Sequence, residues 1–301
     1  MYNDVIVHMN LEKIVSTFSG RVSRPLGSLA KVALRSHRPS PRGELKQRPV
    51  VVMGNGPSLR SFIDTVADGL HDSMDFLAVN FAAITPEYRT LRPDIYVLAD
   101  PHFFNAAGED QNVVSLWESL RATTWRMTLW LPAERRKLAW ALTAGLPGNV
   151  EVKYFNLTPV EGRGALTRFL IHNGLGMPRP RNVLIPAIMT ALREGYRELY
   201  LVGADHTWSR TLGVDDRNRV VSIQPHFYKD SKEESRRVAT EYEGYHLHDI
   251  LQSLTVAFRS YFDIRDYAQT LGATITNATP GSFIDAFPRC GYGQMKTRSM
   301  K

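Results

Sequence analysis

The chain of 301 residues contains a single cysteine, Cys290, which excludes an internal disulfide and a cysteine-based zinc site. Nothing around it in the sequence resembles an activating pair, so it reads as a small packed hydrophobe rather than a nucleophile. Long apolar runs are also missing. No stretch approaches the roughly 20 residues that a membrane-spanning helix needs, and the first residues lack the continuous apolar centre of a secretory signal. The expectation is a cytoplasmic protein. Aromatic residues are almost absent from residues 1–48. Yet this segment carries nine basic residues (Lys13, Arg21, Arg24, Lys31, Arg35, Arg38, Arg42, Lys46 and Arg48) against Asp4, Glu12 and Glu44, and so holds most of the net charge of +7. A basic stretch without side chains for base stacking argues against nucleic acid as a partner. Apolar residues interleave with the charges from Leu11 to Leu34. The segment therefore either lies as an amphipathic helix on an anionic membrane surface or packs on its own domain.

What remains is globular in make-up, with 43% hydrophobic and 22% charged residues and enough length for a sizeable core. Residues 37–48 are rich in proline, glycine and charge and read as a linker. The division expected is a basic leader over 1–48, one folded domain over 49–290, and a basic tail over 291–301. Within the domain, strand and helix signals alternate. Strands are expected at 50–53, 75–79, 94–99, 126–131, 150–155, 198–203 and 273–276. Helices are expected at 58–70, 86–90, 111–121, 133–143, 182–194 and, with an interruption, 231–271. Such alternation specifies an α/β fold of Rossmann-like, doubly wound type, a mostly parallel sheet with helices on both faces. The polar, aperiodic stretch 204–230 reads as a lid-like loop region. No internal repeat is visible.

The most informative motif is Gly54-Asn55-Gly56-Pro57-Ser58-Leu59, directly after the apolar run Val50-Val51-Val52-Met53. A buried strand leaving through glycines into a helix lets backbone approach a ligand closely, and helix-terminal N–H groups favour negative charge. The Asn55 carboxamide can donate and accept, which suits a base, ribose or phosphate. Ligands of parallel sheets sit beyond the carboxyl ends of the strands. That rule gathers Gly54, Asn55, Gly56, Ser58, Asn80, Asp100 to Phe103, and Asp205 to Trp208 along one rim. Taken singly, Asn80 is a turn residue and Asp100 or Asp205 an N-cap; together they point to a shared function.

These residues resemble a known family. The Gly54–Leu59 turn, the strand ending in Asn80, and Pro93-Asp94-Ile95-Tyr96 running to Asp100 are similar to the bacterial sialyltransferases of glycosyltransferase family 42 and to the motility accessory factor glycosyltransferases. The stretch Ile188 to Asp205, with Gly195-Tyr196-Arg197-Glu198-Leu199, and the turn Asn277-Ala278-Thr279-Pro280-Gly281-Ser282 carry the likeness onward, in scattered blocks over about residues 50–290. The resemblance implies a metal-independent transferase that needs no cofactor. It would take a nonulosonic acid from a CMP-sugar donor and add it to a glycan or glycoprotein hydroxyl in bacterial surface glycoconjugate synthesis, in the cytoplasm or peripherally at the inner face of the membrane. Asn55 and Asn80 would contact the nucleotide and sugar-phosphate, with Gly54, Gly56 and Ser58 shaping the pocket. A loop histidine would be the base, and Pro225-His226-Phe227-Tyr228 looks like that loop.

The absence of any Asp-x-Asp motif, the usual cation clamp of nucleotide-sugar transferases, agrees with that implication. The leaving group then needs protein donors. Where the family places tyrosines after the strand-ending Asp, this chain has His206, Thr207, Trp208 and Arg210, so Tyr228 or Arg210 is the candidate substitute. Histidine suits general-base work because its ordinary pKa lies near working pH, and His226 is the first choice, with His246 and His248 as competitors and Asp230 as another base. His246 and His248 beside Asp249 invite a metal reading, but residues two apart on a helix do not face the same way. Two other functions stay open: a magnesium-dependent pterin-type diphosphokinase using Asp94, Asp100 and Asp205, and a non-catalytic scaffold recruited to membranes through residues 1–48. A homo-oligomer is also left open.

Overall fold

The computed structural model describes residues 25–65, 69–221 and 244–298. Seven strands form one sheet: β1 (Val50–Met53), β2 (Asp75–Val79), β3 (Ile95–Val97), β4 (Met127–Pro132), β5 (Val150–Phe155), β6 (Glu198–Val202) and, after a small hairpin of β7 (Gly213–Val214) and β8 (Val220–Val221), β9 (Thr274–Asn277). Their order is β5-β4-β3-β2-β1-β6-β9 and every pairing is parallel. This is the Rossmann-like α/β fold that the alternation specifies. Both faces of the sheet are covered, so the strands read as apolar runs rather than as alternations. Val50 and Val52 enter one core and Val51 and Met53 the other, as the two-residue period of a strand requires.

The helix over 25–35 is α1. It is followed by α2 (Ser58–Thr65), α3 (Glu87–Leu91), α4 (His102–Asn105), α5 (Gln111–Arg121), α6 (Arg136–Thr143), α7 (Ala165–His172), α8 (Leu184–Arg193), α9 (Leu247–Thr270) and α10 (Tyr292–Arg298). Helix α8 is buried continuously from Leu184 to Leu192 against the sheet, and α9 packs beside it. On the other face Phe62 of α2 and Val113, Leu116, Trp117 and Leu120 of α5 fill the second core. Among the described residues no helix is long and apolar enough to cross a membrane.

Several expectations change. Helix α7 carries no sequence start signal: its N-cap is Gly164 at φ 119, with no side-chain cap. The helix expected over 231–271 is Leu247–Thr270 in its described part; residues 231–243 lie outside the described residues. Of the loop 204–230, the described part holds a 3-10 turn at Trp208–Arg210 and the β7–β8 hairpin.

The ends of the chain also differ from the expected division. From residue 25 onward the basic leader packs on the domain. Ser28 is fully buried in α1 and exchanges two hydrogen bonds with the main chain of Glu161, and Val32 joins the larger core. Residues 36–48 are bonded along their length, His37 to Asn156, Ser40 to Tyr154, Gly43 to Arg193 and Lys46 to Gly195, so this stretch is docked chain and no free linker. Within 291–301, α10 buries Met295 completely and sets the Tyr292 ring edge-on to Phe62 at 5.4 Å.

Candidate active site

In a doubly wound sheet the crevice lies where strand order reverses, which here is between β1 and β6. The turns leaving these two strands cross at close range. Gly54 N–H donates to Val202 O at 2.8 Å and Gly56 N–H to Gly203 O at 2.9 Å. A Cβ on Gly54 would collide with the Gly203 carbonyl, and one on Gly56 with the Asp205 carboxylate. The close approach these glycines permit is thus to the protein's own chain. Ser58 opens α2, and its hydroxyl donates to Asp205 Oδ2 at 2.7 Å. A carboxylate therefore faces the positive end of α2, the position expected for a ligand phosphate.

The two asparagines differ from this closed arrangement. Asn55 donates through Nδ2 to Val79 O at 3.4 Å, which sets it beside the end of β2, while its Oδ1 is buried without a partner. Asn80 follows β2 in the left-handed region at φ 53, and its Oδ1 is likewise buried and unpartnered. Tyr96, wholly buried, holds this turn: its hydroxyl donates to the Asn80 carbonyl and accepts from Ala83 N–H at 2.8 Å. Below Asn55 lies a cavity of about 20 Å³ walled by Leu59, Ala82, Thr85 and Tyr88, room for little more than a water molecule. Buried polar oxygens without partners are uncommon and costly, and two on neighbouring strand ends mark the spot where a hydrogen-bond donor belongs.

Asp100 stands apart from this group. It is exposed, and its Oδ1 accepts from His102 N–H at 2.8 Å, the local turn that starts α4. Phe103 turns inward against Phe81 at 5.0 Å. Arg210 is on the rim: its guanidinium lies 4.6 Å over the ring of Phe283, whose N–H donates to Asp205 O at 2.9 Å. His226, Tyr228 and Asp230 lie outside the described residues.

The exit of β6 also builds a network that the sequence did not reveal. His206, at φ 52, is buried against Trp208 at 4.1 Å, and its Nε2 is 2.6 Å from the Tyr261 hydroxyl, which donates to Asn182 Oδ1 at 3.0 Å. Burial lowers the His206 pKa to about 3, so the ring is neutral at physiological pH. Tyr261 and Asn182 come from α9 and the start of α8, and no local sequence signal ties them to His206. The last strand's polar turn buttresses the same exit: Thr279 Oγ1 accepts from Ala204 N–H at 3.0 Å, and Ser282 Oγ donates to Ala204 O at 2.6 Å.

Among the described residues, carboxylates for a divalent cation do not converge. Asp94 sits at the amino end of β3, where Oδ2 accepts from Phe76 N–H at 2.8 Å; Asp100 lies past the carboxyl end of that strand and Asp205 past that of β6. Asp94 is thus set at the opposite strand end from Asp100 and Asp205, and the three do not form one ligand set. Among the described residues no group of three His, Cys, Asp or Glu side chains could hold a metal ion. Asp249 accepts from His246 N–H at 3.0 Å at the start of α9, a helix-capping role.

No family model matches this chain, and no curated protein matches it by sequence. Among solved structures it is similar to a mammalian sialyltransferase, at 10% identity over 78% of each chain with a TM-score of 0.31. It is also similar to a mammalian sialyltransferase in complex with Gal-beta-1-3GalNAc-ortho-nitrophenol, at 10% identity over 78% of each chain and a TM-score of 0.29. Overlap at that level fixes neither a substrate nor a residue's role in this chain.

Proposed function

We propose that this chain is a glycosyltransferase that moves a sialic-acid-like sugar from a CMP-sugar to a hydroxyl of a glycan or glycoprotein, without a metal ion. The observation that carries the reading is the pair of buried, unpartnered Oδ1 atoms of Asn55 and Asn80 beside the switch point. An acceptor oxygen calls for a donor, and a nucleoside supplies donors in its base amine and ribose hydroxyls, whereas a phosphate supplies only acceptors. The sequence blocks that resemble family 42 favour cytidine among the nucleosides. The carboxylate of Asp205 at the head of α2 repels a phosphate placed there, so the leaving phosphate is assigned to Arg210 and, from the loop, Tyr228.

In the proposed reaction the acceptor oxygen bonds to the anomeric carbon, the bond from that carbon to the phosphate oxygen breaks, CMP leaves, and His226 takes the acceptor proton. Location in the cytoplasm, at the inner face of a bacterial membrane, belongs to the same proposal.

A thermal-shift panel of CMP, CDP, UDP, GDP and ATP tests the nucleotide. CMP should raise Tm most, by the equivalent of about 2.7 kcal/mol at a hundredfold excess over Kd, and Asn55→Ala should remove the shift. Indifference to every nucleotide, or a CMP shift that survives Asn55→Ala, overturns the proposal. Chelator should leave turnover intact. His226→Ala should lower turnover roughly 10²–10⁴-fold while CMP binding is kept; near-normal turnover would remove His226 from the base role.

A further inference from the structure

A second polar site lies away from the strand exits, where α8 ends. Arg193 is the last residue of α8 and Arg197 directly precedes β6, so both belong to the amino end of that strand, whereas Asp205 follows its carboxyl end. Arg42, from the docked segment 36–48, reaches the same place. Its Nη1 lies 3.0 Å from His172 Nδ1 and donates to Tyr267 Oη at 3.4 Å. Arg42 and Arg193 also each donate to one shared carbonyl, His172 O, at 3.5 Å. Two guanidinium groups are thereby drawn together on a single neutral acceptor.

Among the described residues every other hydrogen-bond partner of the three arginines is also uncharged. Arg193 donates to Ser40 O through Nε at 3.0 Å, and Arg197 to Tyr196 O at 2.8 Å and Leu192 O at 3.4 Å. The nearest carboxylate in sequence, Glu194, is engaged with Lys153 at 3.0 Å and with the Trp130 indole at 2.7 Å. Among the described residues none of Arg42, Arg193 and Arg197 forms an ion pair with a carboxylate. Burial first, and then repulsion from the neighbouring arginines, lowers the pKa of Arg193 and of His172.

This cluster borders a cavity of about 30 Å³, walled by Phe155, Ile171, Met177 and Met189 and lined also by Arg42 and Arg193. One polar group in that wall has no partner: the hydroxyl of Thr190, a residue only 2% exposed. A threonine in a helix ordinarily bonds back to the preceding turn, so an orphaned hydroxyl beside arginines that no described carboxylate pairs calls for a ligand that accepts from both.

From the three guanidinium groups, the orphaned Thr190 hydroxyl and the small adjoining cavity, we infer that the α8 terminus is a binding site for a phosphoryl dianion. The fork of a guanidinium matches phosphate oxygens, and a dianion balances the excess positive charge. An anion there bridges Arg42 of the docked segment to Arg193 of α8, so its binding also secures residues 36–48 on the domain.

The probe is inorganic phosphate, titrated into the full chain at constant ionic strength with chloride as the balancing anion. Phosphate should raise Tm saturably. Arg42→Gln should weaken the apparent affinity about tenfold, as expected for one lost charge-assisted hydrogen bond. Thr190→Val, which keeps shape and removes only the hydroxyl, should weaken it severalfold without lowering the Tm of the free protein. Asn55→Ala should respond to phosphate like the unaltered protein, which separates this site from the nucleotide site. Co-sedimentation with phosphatidylcholine vesicles, with and without phosphatidic acid, distinguishes a lipid phosphate from a soluble one; a phosphoryl site stands in either case. Absence of a saturable response, or unchanged affinity in both Arg42→Gln and Thr190→Val, overturns the inference.

Discussion

His206 shows how one residue is set by its surroundings. Its backbone is left-handed, its ring lies between Trp208 and Tyr261, and burial lowers its pKa to about 3 from an ordinary 6.5. The unfolded chain therefore takes up a proton near pH 6.5 that the folded chain refuses. Stability from this group is complete above that pH and falls as the pH drops toward 3, by at most about 5 kcal/mol over the whole window. Asparagine tolerates left-handed backbone, so His206→Asn should fold and should flatten the acid limb of stability against pH. Urea unfolding between neutrality and about pH 4 checks this; an unchanged slope would show that the acid sensitivity arises elsewhere. At this scale the sequence was partly legible. It marked Asn55, Asn80 and Asp205 as strand-exit residues, but not that Asp205 answers Ser58 while the two carboxamide oxygens are left without partners.

Among the elements, α1 depends most on a distant partner. It is held by the buried Ser28 and Val32 and by Glu161, whose carboxylate meets Arg179 at 2.8 Å and Lys31 at 3.2 Å. The hydrogen bond from Arg179, with help from Lys31 and against the cost of burial, pushes the Glu161 pKa down to about 2 from 4.5. A lowered carboxylate pKa stabilises the fold above the unfolded value of about 4.5, and that contribution is lost as the pH falls through about 2. Because the pair is partly exposed, its contribution is on the order of 1 kcal/mol after solvent screening. Glu161→Gln should therefore speed hydrogen exchange in residues 25–35 at neutral pH and leave the central strands protected. Equal exchange in the variant would show that Ser28 and Val32 hold the helix alone. The elements themselves were legible where periodicity was strong: β1, β2 and β5 have the expected bounds, and α8 differs by a residue or two. Helix α7 was missed because glycines precede it and Phe169 is 59% exposed, which hides its apolar stripe.

At the scale of the whole molecule, a buried polar triad joins the far side of the sheet to α8. Glu194 has a side chain only 6% exposed, with Lys153 of β5 and the Trp130 indole of β4 as its partners. Lys153→Met would leave a buried carboxylate with one neutral donor, and should cost about 3–5 kcal/mol in urea unfolding. Adding Glu194→Gln should recover much of that loss; a double variant no better than the single would show that the lysine acts by packing. The sequence by itself determined the alternating α/β class, the strand positions and the glycine turn after β1. These rest on local chemistry: burial on both faces demands short apolar runs, and a sharp exit demands residues without a Cβ. Only the tertiary structure decided which exits meet. Strand order places β6 beside β1, and so sets Asp205 against Ser58 across 147 residues of chain. The same order gathers His206 with Tyr261 and Asn182, and folding docks Arg42 against Arg193. Contacts between residues so far apart in the chain are fixed by the packing of whole elements, and no local pattern encodes them.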